Sequence, residues 1–296
     1  LSARIADVGY SDTVVLASFA FVVAGLGVKV ALFPLHTWQP DAYSAAPYGV
    51  TGYVSALVST VSAYALGRVV LTVYTPEFLT ANPVVSSGLV YFGALSIVAG
   101  SVLAVLQTDV RRLLAYSSVS QFGLVVAGFG IGNATSVFGG VVHLFGHAVM
   151  KGALFLAVGI VAYRLGVTRI DEYAGVARRV PYAGAAFAVL ALSLVGIPPA
   201  IGFVGKWYVA LGAVRAGETG VAIIIFASTL LTLMYVARIL DRMYYGEAKE
   251  AVADGGARVT RGMLALVVLA AVAVVALGPA ASMAQETLAL GEVLGT

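Results

Sequence analysis

The chain contains no cysteine among its 296 residues. That excludes thiolate metal sites, iron–sulfur ligation and disulfides. It is also poor in charge. Only 10% of its residues are charged, 60% are hydrophobic and the mean hydropathy is +0.98, whereas a soluble domain carries about 25% charged residues. The composition therefore describes a polytopic membrane protein. The net charge of +3 gives no argument for nucleic acid, because the basic residues are dispersed over loops and apolar segments. Leu1 to Asp12 has neither a basic n-region nor a cleavage site, so no signal peptide is visible, and the chain is expected to be part of something longer. No nucleotide loop stands out either. The most telling scarcity is local: no Asp or Glu lies inside any long apolar stretch, yet Lys29, Lys151 and Lys206 do.

At about 20 apolar residues per crossing, eight spans are expected, at 13–35, 50–73, 84–106, 113–131, 136–163, 182–204, 221–240 and 263–281. Pro76, Pro83, Asp109, Gly132 with Asn133, and Pro181 punctuate the connections. If alternate loops share a side, one side carries 11 Lys/Arg (Arg111, Arg112, Arg164, Arg169, Arg178, Arg179, Arg238, Arg242, Lys249, Arg258 and Arg261). The other carries 3, namely Arg4, Arg68 and Arg215. The positive-inside rule then puts the loops after the first, third, fifth and seventh spans in the cytoplasm and both termini of this chain outside.

A lysine at bilayer depth costs roughly 2.5–3.5 kcal/mol on insertion scales, so such residues are kept for a use. Lys29 precedes Pro34 by five residues, and a proline removes a backbone donor and clashes with the carbonyl four residues back. The first helix is therefore expected to break near Val30, freeing carbonyls beside a lysine, as transporters do at midplane ion sites. The alternative is a helix end with a snorkelling lysine; the depth of Lys29 within the span favours the break. Pro198 and Pro199, between Gly196 and Gly202, interrupt the sixth span in the same way two turns before Lys206. If that helix instead ended at Gly196, Lys206 would lie in a loop, but the apolar run that follows argues against this.

His143, His147 and Lys151 recur at i, i+4 and i+8 and so share one helix face. Two histidines at that spacing suit a metal, but no third ligand is near and a lysine one turn on repels a cation. A hydrogen-bonded structural stripe and a proton relay remain, and the relay is favoured because neutral imidazole accepts on one nitrogen and donates from the other. Asp109 is read as an amide cap at the start of the fourth span, with Arg111 and Arg112 at the headgroups. Ser117, Ser118, Ser120 and Gln121 are polar enough to hold water along a channel.

These residues, in this order, resemble the antiporter-like membrane subunits shared by respiratory complex I, Mrp-type cation/proton antiporters and membrane-bound hydrogenases. The strings are KVALFPLHTWQPDAY from Lys29, DVRRLLAYSSVSQFG from Asp109, HLFGHAVMKGALFL from His143 and GIPPAIGFVGK from Gly196. Residues 178–211 most resemble the Mrp D and hydrogenase branch. The resemblance implies an all-α fourteen-helix fold with two inverted repeats, each holding one broken helix. Of it this chain would supply the end of the first repeat (13–73), the second repeat whole (84–240) and a final helix (263–281), in one transmembrane domain over 1–296. It also implies that Lys29 and Lys206 are the lysines of the two broken helices, and that His147 and Lys151 join the half-channels between them.

Three departures stand against that pattern. The family's glutamate partner for the Lys29 position would lie before Leu1. The lysine that the family often carries on the next helix falls near Thr60, which is uncharged, and the chain ends without a long lateral helix. The resemblance implies coupled cation/proton antiport as a subunit of an Mrp-type assembly in the plasma membrane, with other membrane subunits, protons and Na+ as partners. The alternatives are the proton-pumping subunit of a redox complex and a scaffold that conducts nothing. No cofactor or metal is expected on this chain, and any redox chemistry would belong to partners, so by itself it is not expected to be an enzyme.

Overall fold

A backbone crossing lipid must satisfy its own hydrogen bonds, which leaves the helix as the form open to these apolar runs. The computed structural model describes residues 1–247 and 259–294 and has no strand among them. Lys249 and Arg258, two of the cations used for orientation, lie outside the described residues.

A short α1 (Ser2–Val8) leads into α2 (Thr13–Val30), a break at residues 31–37, and α3 (Trp38–Ala45). α4 (Tyr48–Tyr53), α5 (Ser59–Arg68) and α6 (Thr75–Ala81) follow one another through π-helical turns at Val54–Val58 and Val69–Tyr74, in an apolar run of 34 residues with a backbone kink at Thr75. Then come α7 (Pro83–Val105), α8 (Val110–Ile131) and α9 (Ala134–Leu165). The short α10 (Val176–Arg179) precedes α11 (Pro181–Val195), a second break at 196–200, and α12 (Ile201–Arg215). α13 (Thr219–Tyr245) and α14 (Arg261–Leu294) complete the chain.

Seven of these units are long and apolar enough to cross a bilayer. The eighth expected span, 182–204, is instead the pair α11 and α12. Both breaks fall where proline predicts them: α2 stops at Val30 with Ala31 in the left-handed region at φ 62°, and α11 stops at Val195 with Gly196 at φ 95°. At Pro76 the backbone leaves the helix one residue earlier, at Thr75 (φ 75°, ψ 160°), so the proline marks the end of the long helical run as expected. Pro76 itself occupies the first turn of the short α6 that follows, where the missing N–H has no helical partner to lose.

α8 sits at the centre, with 89% of its apolar window buried against 22% for α2. It packs on α7 with almost no side chain between: a methyl on Gly100 would lie 2.4 Å from Ser120 N, and one on Gly123 2.6 Å from Gly93 O. Small residues let membrane helices approach this closely and gain dispersion contact that lipid cannot match. The α8 N-terminus is held by Asp109, whose carboxylate accepts from Arg112 N at 2.9 Å, as the sequence predicts. Asp109→Ala should therefore lower stability by about 1 kcal/mol, the usual worth of an N-cap, read as a drop in the thermal midpoint of the solubilised protein.

Candidate functional site

α9 carries His143, His147 and Lys151 on one buried face, all at 0% exposure. Their partners come from α8, the only helix they meet through hydrogen bonds among the described residues. Lys151 Nζ donates to Leu114 O at 2.8 Å and to Ser117 Oγ. Ser117 and Ser118 in turn donate to the same Leu114 carbonyl, at 2.9 and 3.1 Å. One turn further along α8, Gln121 Oε1 lies 2.8 Å from His143 Nε2. An amide oxygen only accepts, so Nε2 carries the proton and Nδ1 is left as a base with no partner among the described residues. His147 has no partner on either ring nitrogen among the described residues and lies with its ring 4.5 Å from that of Phe122.

Lys206 is held by the break itself. At the end of α11 the amides of Gly196 and Ile197 bond back to Leu192 and Ser193, which leaves the carbonyls of Leu194 and Val195 free. Both accept from Lys206 Nζ at 2.9 Å. The last carbonyls of a helix are unpaired and form the negative end of its dipole, so α11 presents a cation site and α12 delivers the cation. α12 lies flush on α9 at this level: a methyl on Gly205 would meet His143 Cβ at 2.5 Å. Together these groups make one enclosed polar line, from the broken helix through His143 and His147 to Lys151, containing no carboxylate among the described residues.

Lys29 does not join that line. It sits in the last turn of α2, exposed, with no hydrogen bond or ion pair among the described residues. Only Val15, Phe19, Gly27 and Val30 of α2 are buried, and Lys29 points off that face. At this break the Val28 carbonyl accepts from both the Ala31 amide, at 3.1 Å, and Trp38 Nε1, at 2.7 Å. Pro34 lies within the break, where the Phe33 amide donates to Ser96 Oγ at 2.9 Å.

The arginines after Asp109 also have partners within the protein: Arg111 donates to Ala46 O at 2.8 Å and to Ser44 O, with its guanidinium 4.3 Å from the centre of the Tyr48 ring. Arg112 pairs with Asp41 at 2.8 Å. Five donors in a rigid fork suit the unpaired carbonyls where α3 ends.

A second buried polar group escaped the sequence reading. His36 is 5% exposed, with Nδ1 unpaired among the described residues and its ring beside those of Phe33 and Tyr116. Gln39 donates to Tyr43 OH at 3.0 Å, and that hydroxyl lies 3.2 Å from Ser59 Oγ. Gln39 and Tyr43, four residues apart, share a face of α3, and that spacing was the available signal. Near the position where the family often has a lysine, the Thr60 hydroxyl is shielded and unpaired among the described residues. Among the described residues no three His, Asp or Glu side chains converge.

The family described as NADH:quinone oxidoreductase/Mrp antiporter, transmembrane, matches residues 2–232. The chain is 41% identical over 231 residues to an NADH-quinone oxidoreductase subunit, of the N type, from Desulforudis audaxviator, covering 78% of this chain and 46% of that protein. It is 29% identical over 250 residues to a Na(+)/H(+) antiporter subunit, of the D type, from Bacillus subtilis, covering 84% and 50%. It thus spans about half the length of these relatives. Among solved structures, a chain of the Mrp complex from a Dietzia species superposes with a TM-score of 0.84 at 26% identity, over 92% of this chain and 58% of that one.

Proposed function

Because this chain belongs to the NADH:quinone oxidoreductase/Mrp antiporter transmembrane family, we propose that it translocates protons as one subunit of a larger membrane complex. The observation that carries the reading is the enclosed line of Lys206, His143, His147 and Lys151, in which the two lysines and His143 hydrogen-bond to carbonyls, a hydroxyl and an amide while His147 is unpaired among the described residues. A cation held by a structural ion pair has its counter-charge fixed beside it. These lysines are held by neutral groups, so each can lose its proton without stranding a buried carboxylate.

Protons pass along the line by transfer between lysine amines and imidazole nitrogens, with water bridging the unpaired nitrogens of His147. Ser117, Ser118 and Gln121 orient the carriers. Lys29 enters the path on the exposed face of α2, where a further helix brings the counter-charge that the family supplies from its glutamate. The repeats at 13–73 and 84–240, the final helix at 263–281, the plasma-membrane location and the cytoplasmic placement of the Arg-rich loops belong to the same proposal.

Exchange of Na+ for protons is the primary reading of the driving force, on the structural likeness to an Mrp chain. The 41% identity to an NADH-quinone oxidoreductase subunit carries a second reading, in which a redox partner drives the same path. Proton flux into vesicles holding the assembled complex tests both. Flux driven by a Na+ gradient is expected under the first reading, and flux only with an electron donor under the second. Gln121→Leu should slow either about tenfold, since the loss of one hydrogen bond to His143 is worth about 1.4 kcal/mol in orientation. A complex that moves no protons under either drive would leave the scaffold reading standing.

A further inference from the structure

Where α9 ends and α11 and α14 begin, a cavity of about 230 Å³ is lined by Arg164, Pro181, Tyr182, Thr260, Arg261 and Leu264 among others. Neither guanidinium makes a hydrogen bond or ion pair among the described residues. Arg178 and Arg179, in the last turn of α10, stand just before Pro181 and add positive charge to this end. Directly below, between α11 and α14, runs an open groove of about 480 Å³ walled by Tyr182, Ala185, Val189, Val268, Val272 and Ala276 among others. Tyr182 borders both, so the basic cavity and the apolar groove adjoin at this residue. From Leu264 to Ala276 the helix rise gives about 18 Å of length, and two residues further on Gly278 packs against the Pro199 carbonyl.

We propose that this seam binds one anionic phospholipid, its phosphate between Arg164 and Arg261 and one acyl chain laid between α11 and α14. The two halves of the site need different chemistries joined at the depth where a bilayer joins them. Arginine forks pair with phosphate oxygens at the headgroup level, and basic pockets between transmembrane helices on one membrane face select anionic lipids. A free phosphate would use the cavity and leave the groove without a role. A zwitterionic lipid would bring its own cation towards four arginines.

The test uses the assembled complex and phosphatidylglycerol carrying a photoreactive group in one acyl chain. Crosslinking is expected in α11 and α14 peptides of this chain, competed at least tenfold better by unlabelled phosphatidylglycerol than by phosphatidylcholine with the same chains. Arg164→Gln with Arg261→Gln should remove that preference, and Arg164→Lys with Arg261→Lys should keep most of it. Ala185→Phe, at an exposed position in the groove wall, should suppress crosslinking by either lipid. Equal competition by the two lipids, an undiminished preference in the double Gln variant, or crosslinking that survives Ala185→Phe would each overturn the proposal. So would displacement of the probe by glycerol phosphate, which has the anion and no chain.

Discussion

Replacing Lys151 with methionine is expected to abolish proton flux through the assembled complex while leaving the chain as stable as before or more so. The two effects separate because the lysine is costly where it stands. It is fully buried, and its partners are the Leu114 carbonyl and the Ser117 hydroxyl. Such partners offset only part of the several kcal/mol that an ammonium loses on leaving water. Methionine has similar length and flexibility, fills the same space and carries no charge to desolvate. Nor does it strand the partners, because Ser117 still donates to Leu114 O. Stability should therefore stay level or rise by about 1–4 kcal/mol, as when buried ionic groups give way to apolar ones.

Transport should move the opposite way. A positioned proton-transfer group contributes about 100-fold or more, so flux should fall at least that far. The check pairs a thermal midpoint with a flux measurement on the same preparation. A Lys151→Met complex that is stable and still conducts would remove this residue from the path. One that is unstable would mean the ammonium holds the α8–α9 contact together.

The two breaks were legible because proline acts locally: Pro34 and the Pro198–Pro199 pair remove donors and crowd carbonyls whatever surrounds them. The same locality holds at Pro76, where the chain leaves the helix at Thr75 and the proline starts the short α6 that follows. The His143–His147–Lys151 face was legible because a helix repeats every 3.6 residues. The exposure of Lys29 was not, because burial depends on what packs against a face and apolar neighbours in sequence do not report it. Arg111 and Arg112 were read from their position at a span end, but their partners at Ser44, Ala46 and Asp41 are about 70 residues distant in sequence. Gln39 and Tyr43 lie in α3, but His36 lies in the break before it, so no regular helix extends their face back to the histidine.

Gly205→Val is expected to separate the two halves of the polar line, with a loss of both stability and transport. The Cβ of any residue at position 205 would lie 2.5 Å from His143 Cβ, 2.7 Å from its Cα and 2.8 Å from its backbone nitrogen. None of these atoms can swing aside, so α12 must retreat from α9 by about an ångström. Forcing extra carbon into a filled contact costs about 1–3 kcal/mol, and the branched side chain puts valine at the upper end. A shift of about 1 Å in a reacting group costs about 100-fold, and here the next residue is Lys206, set between the α11 carbonyls and the α9 stripe.

Gly212→Ala separates packing from position. It meets the same seam two turns away, with its Cβ 2.6 Å from Ser136 N, so it should destabilise while sparing transport more than Gly205→Val does. Gly25→Ala, with nothing within 4 Å of the added methyl, should change neither. The three thermal midpoints, set beside the three fluxes, distinguish a line that needs its spacing held from one that needs only a folded chain. If Gly205→Val and Gly212→Ala lose flux only in proportion to stability, the spacing between Lys206 and His143 carries no special weight.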